Sequence, residues 1–136
     1  MSAGLEPRKN IKPQDNYLLA ALPAEVFDRL LPDLTPVAMP LGRVIYESGA
    51  ELEHIYFPTP DCIISMLYVM EDGASAEIAV VGNEGILGIS LFMGGETTPS
   101  RAVVQSAGYG YRLRAQLLKD EFNRAGPIMH LLLRYT

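Results

Sequence analysis

Apolar and polar positions divide the chain into two textures. From Asn16 to Leu31 the apolar residues recur at helical spacing. Tyr17, Leu18 and Leu19 begin one face, and Val26, Phe27, Leu30 and Leu31 continue a second. Asp15 or Asn16 is placed to cap a short helix over Asn16 to Leu22. Pro23 suits the first turn of another helix, Glu25 favours its positive end, and Pro32 and Pro36 stop the pattern. From Val37 onward, short apolar runs alternate with glycine, proline and acidic turns. Val44-Ile45-Tyr46, His54 to Phe57 and Cys62 to Met70 read as strands. Glu71-Asp72-Gly73 predicts a hairpin turn, because Asp-Gly accepts the positive φ that such turns need. Ser75 to Val81 is the returning strand, with Ala76, Ile78 and Val80 on one face and Glu77 on the other. Arg101 to Ser106 and Tyr109 to Arg114 predict another strand pair around Gly108. Strands of this length and spacing point to a sandwich, roll or barrel.

Helical spacing resumes at Ala115, with Leu117, Leu118 and Phe122 as its apolar stripe, and Gly126-Pro127 breaks it. Ile128, Met129, Leu131, Leu132 and Leu133 then open one more helix. So apolar a segment predicts packing against a second copy or a longer continuation, with closure of its own core as the alternative. The polar, proline-bearing start predicts a loose arm over residues 1–15, ahead of one domain over 16–136.

Composition narrows the chemistry. The 136 residues suffice for one domain with a core. A net charge of -5 argues against a free-standing nucleic-acid binder, which presents a basic face. One cysteine, Cys62 in an apolar run, permits no internal disulfide and reads as a buried small hydrophobe. The start lacks the apolar stretch of a secretory signal, and no run reaches the ~18 apolar residues of a membrane helix, so a cytoplasmic location without membrane contact is expected. His54 and His130 are far apart and lack neighbouring ligands, which makes a poor metal site. Gly88-Ile89-Ser90-Leu91-Phe92 lacks the closing glycine of a nucleophile elbow, and no phosphate-binding loop is present. A non-enzyme is expected.

The segment Leu87 to Ala102 carries the densest signal. An apolar turn with Gly88 leads through Gly94-Gly95 to Ser100-Arg101-Ala102. Glycines let backbone approach a ligand, and an arginine fork suits phosphate or carboxylate. Arg101 shares a strand face with Val103 and Gln105, opposite Ala102 and Val104. If the Arg101 face is the roll interior, an apolar pocket with one cation results. Otherwise Arg101 pairs with Glu77 or Glu84 at the rim.

The ordered set Asn16–Leu34, Val44–Pro58, Val69–Gly88 and Ser100–Gln105 resembles the N-terminal, cyclic-nucleotide-binding-like sensor domain of the Crp/Fnr family of bacterial transcription regulators. The resemblance implies a mainly β, α+β fold: a double-stranded, jelly-roll-like β-roll flanked by short N-terminal helices and by C-terminal helices. The last of these, at 127–136, would begin a dimer helix. It implies a homodimer, a small-molecule effector, and DNA contact only through a winged helix-turn-helix outside these residues. By resemblance the effector site is Leu87, Gly88, Ile89, Ser90, Ser100, Arg101 and Ala102, with no metal and no resident cofactor, and a cyclic nucleotide or another anion as the effector. The cyclic-nucleotide binders carry a Gly-Glu pair whose carboxylate takes the ribose; Leu87-Gly88 or Gly88-Ile89 stands there, so cyclic-nucleotide binding is expected to be weakened. Two readings compete with the sensor: a ligandless interaction and dimerisation module, and a cupin-like metal enzyme.

Overall fold

The structure, a computed structural model, describes residues 11–49, 51, 53–88 and 100–123. Two antiparallel sheets form its body. β1 (Thr35–Met39) and β2 (Val44–Tyr46) open the roll. β3 (His54–Pro58), β4 (Ile63–Val69), β5 (Ser75–Val81), β6 (Ser100–Ser106) and β7 (Gly108–Arg114) follow. One sheet has the order β1-β7-β3 and the other β2-β6-β4-β5. The mainly β, roll-like fold expected from the sequence is the fold observed.

The predicted pairing of the last two strands with each other is corrected. β6 pairs with β2 and β4, and β7 pairs with β1 and β3. Only Ala107 separates β6 from β7, fewer residues than the two of the tightest common hairpin. The chain therefore runs on through a bend from one sheet to the other. β3 and β4 bend alongside it. Thr59 N and Oγ1 donate to Tyr109 O at 3.0 and 2.8 Å, and Ser106 Oγ donates to Asp61 O at 2.8 Å. The approach is so close that a Cβ on Gly108 would lie 2.9 Å from Cys62 N.

Two further details differ from the sequence pattern. Pro36, expected only to stop a helix, lies within β1. An edge strand tolerates proline because one of its sides has no partner to bond. In β5 the alternation is interrupted: Met66 pairs with Ala79 and Leu67 with Glu77, which skips Ile78. Ile78 and Val80 end 58% and 49% exposed. The hairpin before β5 forms as predicted, with Gly73 at φ +89° and Ala74 N donating to Asp72 Oδ1 at 3.0 Å.

The core joins Ile55, Phe57, Tyr111 and Leu113 of one sheet to Ile64, Val81, Ala102 and Val104 of the other. Leu18 and Leu19 of α1 (Tyr17–Ala20), Val26 and Leu30 of α2 (Ala24–Leu30), and Leu118 of α3 (Ala115–Asn123) pack with it. Ile11, near the end of the expected arm, also packs against this core. Asn16 caps α1 as predicted. Its Oδ1 accepts from Leu18 N and Leu19 N, while Nδ2 donates to Pro58 O at 2.9 Å and Gly85 O at 2.8 Å. One fully buried amide thus binds α1 to the roll. A second tie joins α2 to α3: Arg29 Nε and Nη2 donate to Glu121 Oε2 and Oε1 at 2.7 and 2.8 Å. The helix expected over Ile128 to Leu133 lies outside the described residues.

Candidate effector site

The glycine-bearing turn is built onto the free edge of β3. Leu87 N donates to Tyr56 O at 2.9 Å, and Tyr56 N returns a bond to Leu87 O at 3.2 Å. This bridge buries Leu87 completely. Gly88 follows at φ +108°, where a Cβ would stand 2.6 Å from Ile55 Cδ1. The positive φ favours glycine there, while the Ile55 methyl is the end of a side chain that can shift. The preceding turn is tied to the N-terminal segment, since Tyr17 N donates to Asn83 O at 2.7 Å.

On β6, Ser100, Ala102 and Val104 are buried. Alternation divides this strand into two faces without saying which is internal. Packing decides it: Ala102 and Val104 belong to the core, so Arg101, Val103 and Gln105 face the other way. Arg101 Nε donates to Glu47 Oε1 at 2.8 Å. Neither acid expected as a rim partner takes it. Glu77 accepts from Ser65 Oγ at 2.8 Å, and Glu84 accepts from Gly82 N at 3.3 Å across its own turn. The inward position beside Ala102 belongs to the hydroxyl of Ser100. Among the described residues Leu87, Gly88, Ser100 and Ala102 are each buried, the first two against β3 and the last two on β6, and Arg101 is on the outer side of its strand. Ile89 and Ser90 lie outside the described residues. The sequence of 89–99 contains no lysine or arginine.

Glu47 carried no signal in the sequence, because its partner is 54 residues away and no local spacing links the two. The remaining reactive groups are quiet. Burial pushes the Cys62 thiol up to about 12, so it stays protonated and unreactive. His54 is held below its ordinary value by burial and then by Arg112. Arginines so close to the imidazole disfavour a metal ion at that position. Among the described residues no three His, Cys, Asp or Glu side chains converge as a metal site, and no helix is long and apolar enough to cross a membrane.

No family model and no curated protein sequence matches the chain. Solved structures do. The N-terminal domain of a transcriptional regulator from Streptomyces coelicolor A3(2) is 24% identical with a TM-score of 0.64, over 90% of this chain and 85% of that one. The sensor domain of the transcriptional regulator DNR from Pseudomonas aeruginosa is 15% identical with a TM-score of 0.73, over 90% and 81%. The regulatory domain of Toxoplasma gondii PKA, crystallised with cAMP, is 13% identical with a TM-score of 0.70, over 85% of this chain and 46% of its own. The chain therefore has the jelly-roll-like fold of cyclic-nucleotide-binding domains.

Proposed function

We propose that this chain is the effector-sensing and dimerisation domain of a Crp/Fnr-type transcription regulator, and that its effector is not a cyclic nucleotide. The fold over nine-tenths of the chain supports the sensor role. The effector site is the cassette Leu87, Gly88, Ile89 and Ser90 with Ser100 and Ala102. Arg101 belongs to its rim, latched to Glu47. The homodimer forms through the helix at 127–136, DNA is read by a further domain, and the protein works in the cytoplasm.

One observation carries the choice of effector: Ser100 and Ala102 are buried on the strand where Arg101 faces outward to Glu47. A cyclic phosphate needs a cation, and neither the described inward residues nor the sequence of 89–99 supplies one. A lost charge-assisted hydrogen bond costs about 1.5–3 kcal/mol, roughly ten- to hundredfold in affinity. The cassette carboxylate for the ribose is missing as well, so the penalty applies twice. An uncharged effector in contact with the Ser100 hydroxyl fits these residues better.

Thermal denaturation with cAMP, cGMP and cyclic dinucleotides tests this. A ligand at ~100 times its dissociation constant adds about 2.7 kcal/mol to stability. Millimolar cyclic nucleotide is expected to leave the melting temperature unchanged. A rise that disappears in Arg101→Ala would restore the arginine–phosphate reading. A second reading, an interaction module without any effector, draws on the exposed Tyr68, Met70, Ile78 and Val80 of the β4–β5 hairpin. It predicts a dimer by light scattering with no small molecule present.

A further inference from the structure

The three-stranded sheet has a second, polar face. Arg112 and Arg114 stand two residues apart on its central strand β7, so both leave the same side. Register sets Arg112 between Thr35 of β1 and Tyr56 of β3, and Arg114 opposite His54. Leu113, between the two arginines, points into the core. Pro32 and Asp33, just after α2, close one end. Together Pro32, Asp33, Thr35, His54, Arg112 and Arg114 line a cleft of about 310 Å³.

Two like charges side by side repel each other, yet among the described residues neither guanidinium is in an ion pair. Acids are plentiful in a chain of net charge -5, and one of them, Asp33, lines the cleft without pairing. His54 is pushed toward its neutral form by burial and by Arg112 and Arg114, with Glu53 opposing, which leaves the imidazole a hydrogen-bonding group. The lining is mostly polar, unlike the apolar wall of a common small-molecule pocket.

We propose that this cleft binds a small phosphorylated polyol, with its phosphate held by Arg112 and Arg114 and its hydroxyls by Asp33 and Thr35. Arginine forks match phosphate oxygens in pairs. A bare anion would meet the Asp33 carboxylate, whereas a hydroxyl donates to it. Nucleic acid fits poorly, because tracking a phosphate backbone needs an extended basic path and Asp33 and Glu53 interrupt this one. The cleft lies on the opposite face of the sheet from the core and does not depend on the cassette.

Calorimetric titration of the 136-residue chain tests the assignment, with glucose 6-phosphate and glycerol 3-phosphate as probes and glucose and inorganic phosphate as comparisons. At least one polyol phosphate is expected to bind, more tightly than inorganic phosphate, with no heat from glucose. The double variant Arg112→Ala, Arg114→Ala is expected to weaken binding by about tenfold or more, with its unliganded melting temperature unchanged. Arg112→Lys with Arg114→Lys keeps the charge, loses the forks, and should fall between. Lys119→Ala should bind as the parent does. Silence from both polyol phosphates, full affinity in the double variant, equal binding of inorganic phosphate, or displacement by a short DNA duplex would each overturn the proposal.

Discussion

Arg29–Glu121 and Arg101–Glu47 are chemically the same ion pair, closed at 2.7 and 2.8 Å, in two differently built regions. At the helix seam the Glu121 side chain is 7% exposed and accepts from two guanidinium nitrogens. At the cassette rim the Glu47 side chain is 57% exposed and accepts a single bond from Arg101. Distance alone does not separate a clamp from a latch. Burial and the number of bonds do, since water screens the exposed pair and competes for it. The seam is built to hold still. The rim pair is built to let go, as the proposed effector site would require.

Asn16 is the strongest test of that contrast. Asn16→Ala removes the cap from α1 and strips Pro58 O and Gly85 O of their donor in a buried place. A lost cap costs about 1 kcal/mol, and each stranded buried carbonyl adds about 1 kcal/mol or more. We expect about 3 kcal/mol of destabilisation, read as a lower denaturation midpoint in urea with an unchanged slope. A loss below about 1 kcal/mol would mean that the helices are held by apolar packing and that the seam is no more rigid than the rim.

Glu121 sharpens the comparison at intermediate size. Glu121→Gln keeps the shape of the side chain and removes its charge. One of the two bonds from Arg29 is lost, because the amide nitrogen of Gln donates and cannot accept; the other keeps only the arginine's charge, and that arginine, 41% exposed, recovers water. Discounted for that exposure, the loss is expected at about 1 kcal/mol, within the range for hydrogen bonds to charged groups near a surface. It should persist in high salt, because a side chain as buried as Glu121 is poorly screened. A loss that salt abolishes would place this pair in the same class as Arg101–Glu47.

The sequence disclosed the two regions unequally, for physical reasons. Asn16 as a cap and Asp72-Gly73 as a turn are local devices, and each does locally what its residue type allows. That Asn16 also ties Pro58 and Gly85 was not readable, because those partners are 42 and 69 residues away. Gly88 pointed to a close approach of backbone to a ligand; what the structure shows there is a φ of +108°, which glycine adopts without strain, beside Ile55. The direction of Arg101 could not be read, because apolar residues occupy both faces of β6: Val103 on one side, Ala102 and Val104 on the other. Only packing breaks that tie. The bend at Ala107 was hidden for a related reason, since two short strands around a glycine look alike whether the chain reverses or runs on into a second sheet.

Arg101→Ala carries the smallest expected effect on stability and the most information about the rim. The pair it removes is single and half in water, so the change should stay under about 0.5 kcal/mol. The expected result is a melting temperature within error of the parent at low and at high salt, while Glu121→Gln shifts it at both. If Arg101→Ala instead destabilises by more than about 1 kcal/mol, the rim is a clamp like the seam. A latch that strong would oppose the opening of the cassette by the same amount, and any effector would have to offset it on binding. Combining Arg101→Ala with Glu47→Ala then separates the two cases. A coupling near zero leaves the rim free to move, and a coupling as large as the single loss assigns the whole cost to the bond between them.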